Sequence, residues 1–166
     1  MSELLTIPLL QELFGETILE SHAHRGDETV IIPPQSLEEV ATRLQQDERL
    51  RFEFLMDLTA VDYLHLDRPK RFEVVYHFYS LTHNRRLRVK VRVDDGEPVP
   101  TLALLWKTAD WFERETAEMY GIKFAGHPDP RPLLLYPEFK GYPLRKDYDQ
   151  RASHPLVESR RKGESA

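Results

Sequence analysis

The sequence contains no cysteine. That removes disulfides, thiolate-held zinc or iron–sulfur clusters and a cysteine nucleophile from this chain, and it suits a reducing compartment. Long apolar runs are missing too. The longest stretch free of Asp, Glu, Lys and Arg is Val74–Asn84, eleven residues with two histidines among them. A membrane-spanning helix needs about 20 apolar residues, so no span is expected. An excess of positive charge is also absent: 23 Lys+Arg face 28 Asp+Glu, a net −5 at pH 7. That is the wrong sign for holding a phosphate backbone through counterion release, and no nucleic-acid partner is expected. The first residues, MSELLTIPLLQELFGE, begin acidic and lack a basic n-region or an Arg/Ser-rich bias. Neither a signal nor a transit peptide is expected there, and cytosolic exposure is the default.

What is present is enough for one folded domain. At 166 residues and 19.6 kDa, a chain can bury about 70% of its unfolded surface. Charge is uneven along it: residues 1–70 hold 6 basic and 14 acidic groups, residues 71–110 hold 7 and 5, and residues 111–166 hold 10 and 9. The remainder after the acidic first part is close to balanced, which suits protein partners.

Pattern and punctuation predict the elements. Pro8 opens a short helix that runs to Phe14 and stops at Gly15. Thr17–His24 and Thr29–Ile32 are β-rich, joined through Arg25-Gly26-Asp27-Glu28 as a hairpin. Ser36 and Glu39 form a capping box for an amphipathic helix over Leu37–Asp47, in which Leu37, Val40, Ala41 and Leu44 recur at helical spacing. Leu58–Leu64, Phe72–Leu81 and Arg86–Val93 read as strands. In the last, Leu87, Val89, Val91 and Val93 alternate with Arg86, Arg88, Lys90 and Arg92, giving one apolar and one basic face. The link Thr82-His83-Asn84-Arg85 is too short for a crossover, so the strands are antiparallel. A further helix covers roughly Trp111–Tyr120, capped by Thr108 or Asp110 and closed by Gly121, with Phe112, Thr116, Met119 and Tyr120 on one side.

Beyond this the chain changes character. Six of its twelve prolines lie from Pro128 onward, which excludes regular helix or central strand. Yet Leu133, Leu134, Leu135, Tyr136, Phe139, Tyr142 and Leu144 make the segment too apolar for a disordered tail. It needs a surface to lie on: its own domain, a partner, or both. The fold expected is α+β, a mainly antiparallel sheet packed with a few helices over residues 1–125. An extended proline-rich arm over residues 126–166 follows. The last dozen residues, ending SRRKGESA, look loose.

Candidate chemistry concentrates where the last expected helix meets the arm. Glu113, Arg114, Glu115, Glu118, His127, Asp129 and Arg131 form the densest polar cluster. Carboxylates and an imidazole could hold a divalent cation, with Glu115, Glu118, His127 and Asp129 as the set. However, Glu113 and Glu115 are two apart on a helix and diverge. The ordinary alternative is surface ion pairing such as Arg114–Glu118. His22 and His24 face one way on a strand but lack a third ligand. The basic strand face and nearby Phe72, Tyr76, Phe78 and Tyr79 could suit RNA. No RNP1-like sequence exists, though, and the acidic first part could lie against that face. Arg145, Lys146, Asp147 and Tyr148 are either a solvated turn or a docking element. No HExxH, GxxxxGK[ST], GxGxxG or GxSxG motif occurs. Without an evident active site, these residues describe a binding or scaffold protein better than an enzyme.

One stretch is more specific. Glu113-Arg114-Glu115 is followed, after two free positions, by Glu118, Met119 and Tyr120. His127 comes after six more free positions, then Arg131, then Leu133 and Leu134. With Gly141-Tyr142-Pro143-Leu144-Arg145-Lys146-Asp147-Tyr148, this resembles the 30 kDa peripheral-arm subunit family of respiratory NADH:quinone oxidoreductase, complex I. Leu58–Tyr63, Arg71–Tyr76 and Leu104-Leu105-Trp106 extend the resemblance over roughly residues 50–150. It implies a non-catalytic scaffold protein of the peripheral arm with no cofactor of its own, FMN and iron–sulfur clusters being held by other subunits. The implied partners are the large quinone-site subunit and the adjacent iron–sulfur subunit, on the cytoplasmic side of a bacterial membrane. Glu113, Arg114, Glu115, Glu118, His127, Arg131, Arg145, Lys146 and Asp147 then become structural or interface residues, none catalytic and none a metal ligand. Related subunits occur in membrane-bound hydrogenases and complexes with other electron donors, and the resemblance does not separate these.

Overall fold

The computed structural model describes residues 6–151 and residue 153. The last dozen residues, expected to be loose, lie outside the described residues. The chain is α+β, with α1 (Thr6–Phe14), β1 (Glu20–His24), β2 (Asp27–Ile32), α2 (Leu37–Gln46), β3 (Phe54–Asp62), β4 (Phe72–Ser80), β5 (Arg85–Val93), β6 (Val99–Pro100), α3 (Lys107–Tyr120) and β7 (Phe124–Ala125). The main sheet has five strands in the order β1-β2-β5-β4-β3. All its pairs are antiparallel except β2 with β5, which run parallel with Val30 opposite Val89. β6 and β7 form a separate parallel pair.

Alternation decides which face is covered. On β5, Leu87, Val89, Val91 and Val93 are buried, and Phe72, Val74, Tyr76 and Phe78 of β4 share their side. The helices add Leu10, Leu37, Val40, Leu44 and Ala109 to the same core. The opposite face carries charges, some of them paired. Lys90 Nζ lies 2.7 Å from Glu73 Oε2, and Arg92 bonds both Glu73 and Glu20. The basic row foreseen on β5 is thus partly neutralised by β1 and β4, and Glu20 does come from the acidic first part of the chain.

Several boundaries differ from expectation. The β1–β2 loop is only Arg25-Gly26, both at positive φ (53° and 91°), the geometry of a tight two-residue hairpin. Ser36 makes no side-chain cap: it ends a 3₁₀ turn, Pro34–Ser36, that runs straight into α2 and leaves it with helical backbone angles. α3 begins at Lys107, before Thr108 and Asp110. Thr108 is occupied elsewhere, donating to the Leu55 carbonyl. β3 begins at Phe54, four residues earlier than expected, with an irregularity between Leu55 and Asp57 that breaks the alternation.

Two devices finish the frame. Buried Glu28 on β2 accepts the Thr6 and Ile7 N–H groups at 3.1 and 2.9 Å, so a strand carboxylate caps α1. α3 shields the outer edge of β3. Trp106 Nε1 donates to the Glu53 carbonyl, Thr108 to Leu55 and Thr116 to Leu58, at 3.1, 3.0 and 3.4 Å. An edge strand capped this way offers few free acceptors to another strand.

Candidate functional site

The signature residues sit on α3 and on the segment that follows β7, and they hold one to the other. α3 ends at Gly121 in the left-handed region (φ 73°), with its N–H on the Ala117 carbonyl. That reversal sends the chain back along the helix. Residues 126–151 are therefore placed against α3 rather than leading away from it.

Glu113 is fully buried. Its Oε2 accepts the Thr101 hydroxyl and its Oε1 accepts the Leu102 N–H at 2.6 Å. Burial pushes its carboxyl above the usual range, against the pull of those two donors. Glu113 thus stands apart from the surface ion pairing offered as the ordinary alternative, on an inward face of Ala109, Glu113 and Thr116, while Arg114 keeps an i,i+4 pair with Asp110 at 4.0 Å. Arg114 does not pair with Glu118. Its Nε donates to the Arg131 carbonyl at 2.8 Å and its Nη2 to the Pro132 carbonyl at 3.1 Å. Glu118 accepts three successive backbone N–H groups, those of Leu133, Leu134 and Leu135, at 3.2, 2.8 and 2.9 Å. Neighbouring signature residues thus grip the carbonyls of one turn of the arm and the amides of the next. Prolines suit this segment: Pro130 and Pro132 have no N–H to satisfy.

His127 has a side chain only 4% exposed. Its Nδ1 accepts the Asp129 N–H at 3.0 Å, so its Nε2 carries the proton and donates to the Asp110 carbonyl at 3.1 Å. Asp129 receives both Arg131 Nε and Nη2 at 2.7 Å, and these guanidinium contacts hold its carboxyl well below the usual range. Glu115 is exposed and makes no hydrogen bond or ion pair among the described residues. Glu118, His127 and Asp129 are therefore committed to separate partners while Glu115 faces solvent, and no group of three or more metal-ligating side chains converges among the described residues. His22 and His24 are exposed on the edge strand β1.

A second set of contacts fixes the arm farther on. The Asp62 side chain, closed off from solvent, accepts Arg71 Nε and Nη2 at 3.1 and 2.9 Å, Leu64 N–H at 2.9 Å and Lys146 N–H at 2.9 Å. Burial pushes that carboxyl up, but Arg71 and the two amides outweigh it and hold it below its usual range. Arg71 Nη2 also reaches Asp147 at 2.7 Å. Arg145 bonds both oxygens of Asp95 and the Tyr120 carbonyl, and its guanidinium lies over the Phe72 and Tyr142 rings at 5.2 and 4.5 Å. Lys146 contributes its backbone rather than its ammonium. Between the two sets, a groove of about 320 Å³ runs beside α3, with Ala117, Ile122, Phe124, Pro130 and Tyr142 in its lining.

The family model described as "Respiratory-chain NADH dehydrogenase, 30 Kd subunit" matches residues 30–154. The chain belongs to that family. The 30 kDa subunit match takes in the strands, α3 and both sets of arm contacts. Among similar family members is a subunit of NADH-quinone oxidoreductase from Rhizobium etli, 41% identical over 142 residues, which are 86% of this chain and 75% of the relative. The corresponding NADH-quinone oxidoreductase subunit of Maricaulis maris is 50% identical over 123 residues, 74% of this chain and 60% of the relative. That of a Methylobacterium species is 43% identical over 139 residues, 84% of this chain and 64% of the relative. The chain thus spans less than two thirds of the last two. The same fold recurs in a chain from the structure of an archaeal membrane-bound sulfane sulfur reductase. That likeness has a TM-score of 0.72 at 23% identity over 87% of this chain and 84% of that one. Relatives in the 30 kDa subunit family are thus named as parts of an enzyme complex, and no helix among the described residues is long and apolar enough to cross a membrane.

Sequence reasoning missed Asp62, Arg71, Asp95 and Thr101. A signal existed for the first: Leu58, Ala60 and Asp62 share the inward face of β3, and an acid at an inward position requires a partner.

Proposed function

We propose that this chain is a non-catalytic scaffold subunit of the peripheral arm of a proton-translocating NADH:quinone oxidoreductase, bound on the cytoplasmic side of a bacterial membrane. The observation that carries this reading is the family match running unbroken across the residues that fix the arm. In this role Glu113, Arg114, Glu118, His127, Arg131, Arg145, Lys146 and Asp147 do no chemistry on substrate. Glu113 fixes the Thr101–Leu102 turn beneath the arm, and the others hold the arm as a shaped surface for the large quinone-site subunit and the adjacent iron–sulfur subunit. FMN and the iron–sulfur clusters belong to other subunits, which agrees with the lack of cysteine. Exposed Leu134, Tyr142 and Leu144 on the arm are apolar surface of the kind that permanent interfaces cover.

A second reading keeps the scaffold role and changes the electron donor. It is favoured by one observation, the occurrence of this fold in an archaeal respiratory membrane complex, a sulfane sulfur reductase. One experiment tests both: pull-down of the tagged chain from mildly solubilised membranes, with mass spectrometry and an NADH:quinone assay on the eluate. Co-recovery of the quinone-site and iron–sulfur subunits with NADH oxidation is the expected result. Hydrogenase-type subunits in its place would select the second reading, and recovery of a lone monomer would refute both.

A further inference from the structure

We propose that the arm folds onto its own domain before any partner arrives, and that Glu118 is the residue that positions it. The inference rests on the scaffold reading and adds an order of events to it: assembly docks a preformed surface instead of folding a loose tail.

The geometry argues for this in three ways. First, many of the contacts fixing the arm use its backbone, beside those made by the His127, Arg145 and Asp147 side chains. Glu118 takes the N–H groups of Leu133, Leu134 and Leu135, Arg114 takes the carbonyls of Arg131 and Pro132, and Asp62 takes the Lys146 N–H. Backbone-directed bonds fix the path of the chain and leave side chains free, and Leu134 and Leu144 do point into solvent. Second, the Glu118 cluster is a nest of successive amides closed by a carboxylate, an arrangement suited to an anion. A charged acceptor makes each of those bonds stronger than a neutral one would. Third, the arm approaches so closely that a Cβ on Gly121 would stand 2.6 Å from both Arg145 and Tyr142. Such a fit belongs to packed structure. Ordering these residues in advance removes their conformational entropy from the free energy of association.

The test uses the full chain, purified alone, and hydrogen exchange resolved to single amides. In the wild type the amides of Leu133, Leu134 and Leu135 are expected to be protected. In Glu118→Ala they should exchange about tenfold faster or more, from the loss of bonds to a charged acceptor, while Val89 and Val91 in the sheet keep their rates. Sodium formate should restore protection to Glu118→Ala by filling the nest, and should leave the wild type unchanged. Should Glu118→Ala disturb the sheet amides as well, Glu118→Gln provides the measurement, with an intermediate loss expected at the same three positions. Unprotected amides in the wild type, or rates insensitive to both substitutions, overturn the proposal; failure of formate overturns the assignment to the carboxylate. A protected arm in a chain that recovers no partners would leave this inference standing and remove the scaffold reading. Partners recovered with an unprotected arm would do the reverse.

Discussion

Replacing Glu113 in two ways separates the roles of its shape and its charge. The side chain is fully buried and accepts the Leu102 N–H, itself buried, and the Thr101 hydroxyl. Truncation in Glu113→Ala leaves that amide without a partner, at about 1–3 kcal/mol. It also removes one buried methylene, at about 0.8 kcal/mol. The sum is a loss of about 3 kcal/mol, or a fall in Tm of about 6–12 °C for a domain of this size. Glu113→Gln keeps the volume and the acceptor for Leu102. Its new NH₂ can donate to Thr101 Oγ1, which already accepts the Ala103 N–H. Because burial raises the carboxyl above its ordinary range, its ionised form is disfavoured in the folded protein. The neutral isostere should therefore lie within about 1 kcal/mol of the wild type at pH 7, on either side. Urea unfolding followed by fluorescence supplies the measurement, since Trp106 is buried in the core while Trp111 is exposed. A Glu113→Ala variant as stable as Glu113→Gln would refute this account of the site.

Other outcomes follow from the same contacts. Gly121→Ala should cost about 1–2 kcal/mol from positive φ alone and should also expose Tyr142–Arg145 to limited proteolysis, because the added Cβ collides with both side chains; intact resistance at that point would count against the close fit. Asp62→Ala leaves the Arg71 guanidinium with Asp147 but without its buried partner and strands the Leu64 and Lys146 amides, and should lower stability by about 3 kcal/mol with an unchanged urea slope. On acidification the arm and the domain should part company. Asp62, Asp95, Asp129 and Asp147 are held below their ordinary value of 3.8, so their stabilisation is complete above that pH and is lost as pH falls through their lowered values. Glu113 runs the other way: its value is raised above 4.5, so its neutral form favours folding in acid and the benefit is lost as pH rises through the raised value. Arm amides should lose protection at higher pH than Trp106 loses its buried fluorescence, and simultaneous loss would contradict the separation.

How much of this was legible in the sequence depended on whether a pattern was local. Period two on Arg86–Val93 and helical spacing over Leu37–Leu44 found β5 and α2, because burial of one face writes itself into neighbouring residues. Gly121 was recognisable as a helix stop for the same reason. The Ser36 cap failed because a 3₁₀ turn already supplied the helical approach. The α3 start was misplaced because its threonines serve β3, fifty-odd residues away in sequence. The signature residues were found, but only as a string. Nothing in their spacing says that Glu113 turns inward, that Arg114 takes carbonyls, or that Glu118 takes amides from Leu133–Leu135. These roles come from a chain reversal at Gly121, and a reversal pairs residues without any fixed period.

The parallel pairing of β2 with β5 has a consequence for synthesis. The β1–β2 hairpin leaves the ribosome early, yet the strand it must join, with Glu28 opposite Leu87, is made only after α2, β3 and β4. Two strands alone are marginal in water. The nascent hairpin therefore has to wait, and the antiparallel trio β3-β4-β5, whose contacts are local, should form first and act as the template onto which it closes. In pulsed exchange during refolding, Val74 and Val89 should gain protection before Ser21 and Thr29.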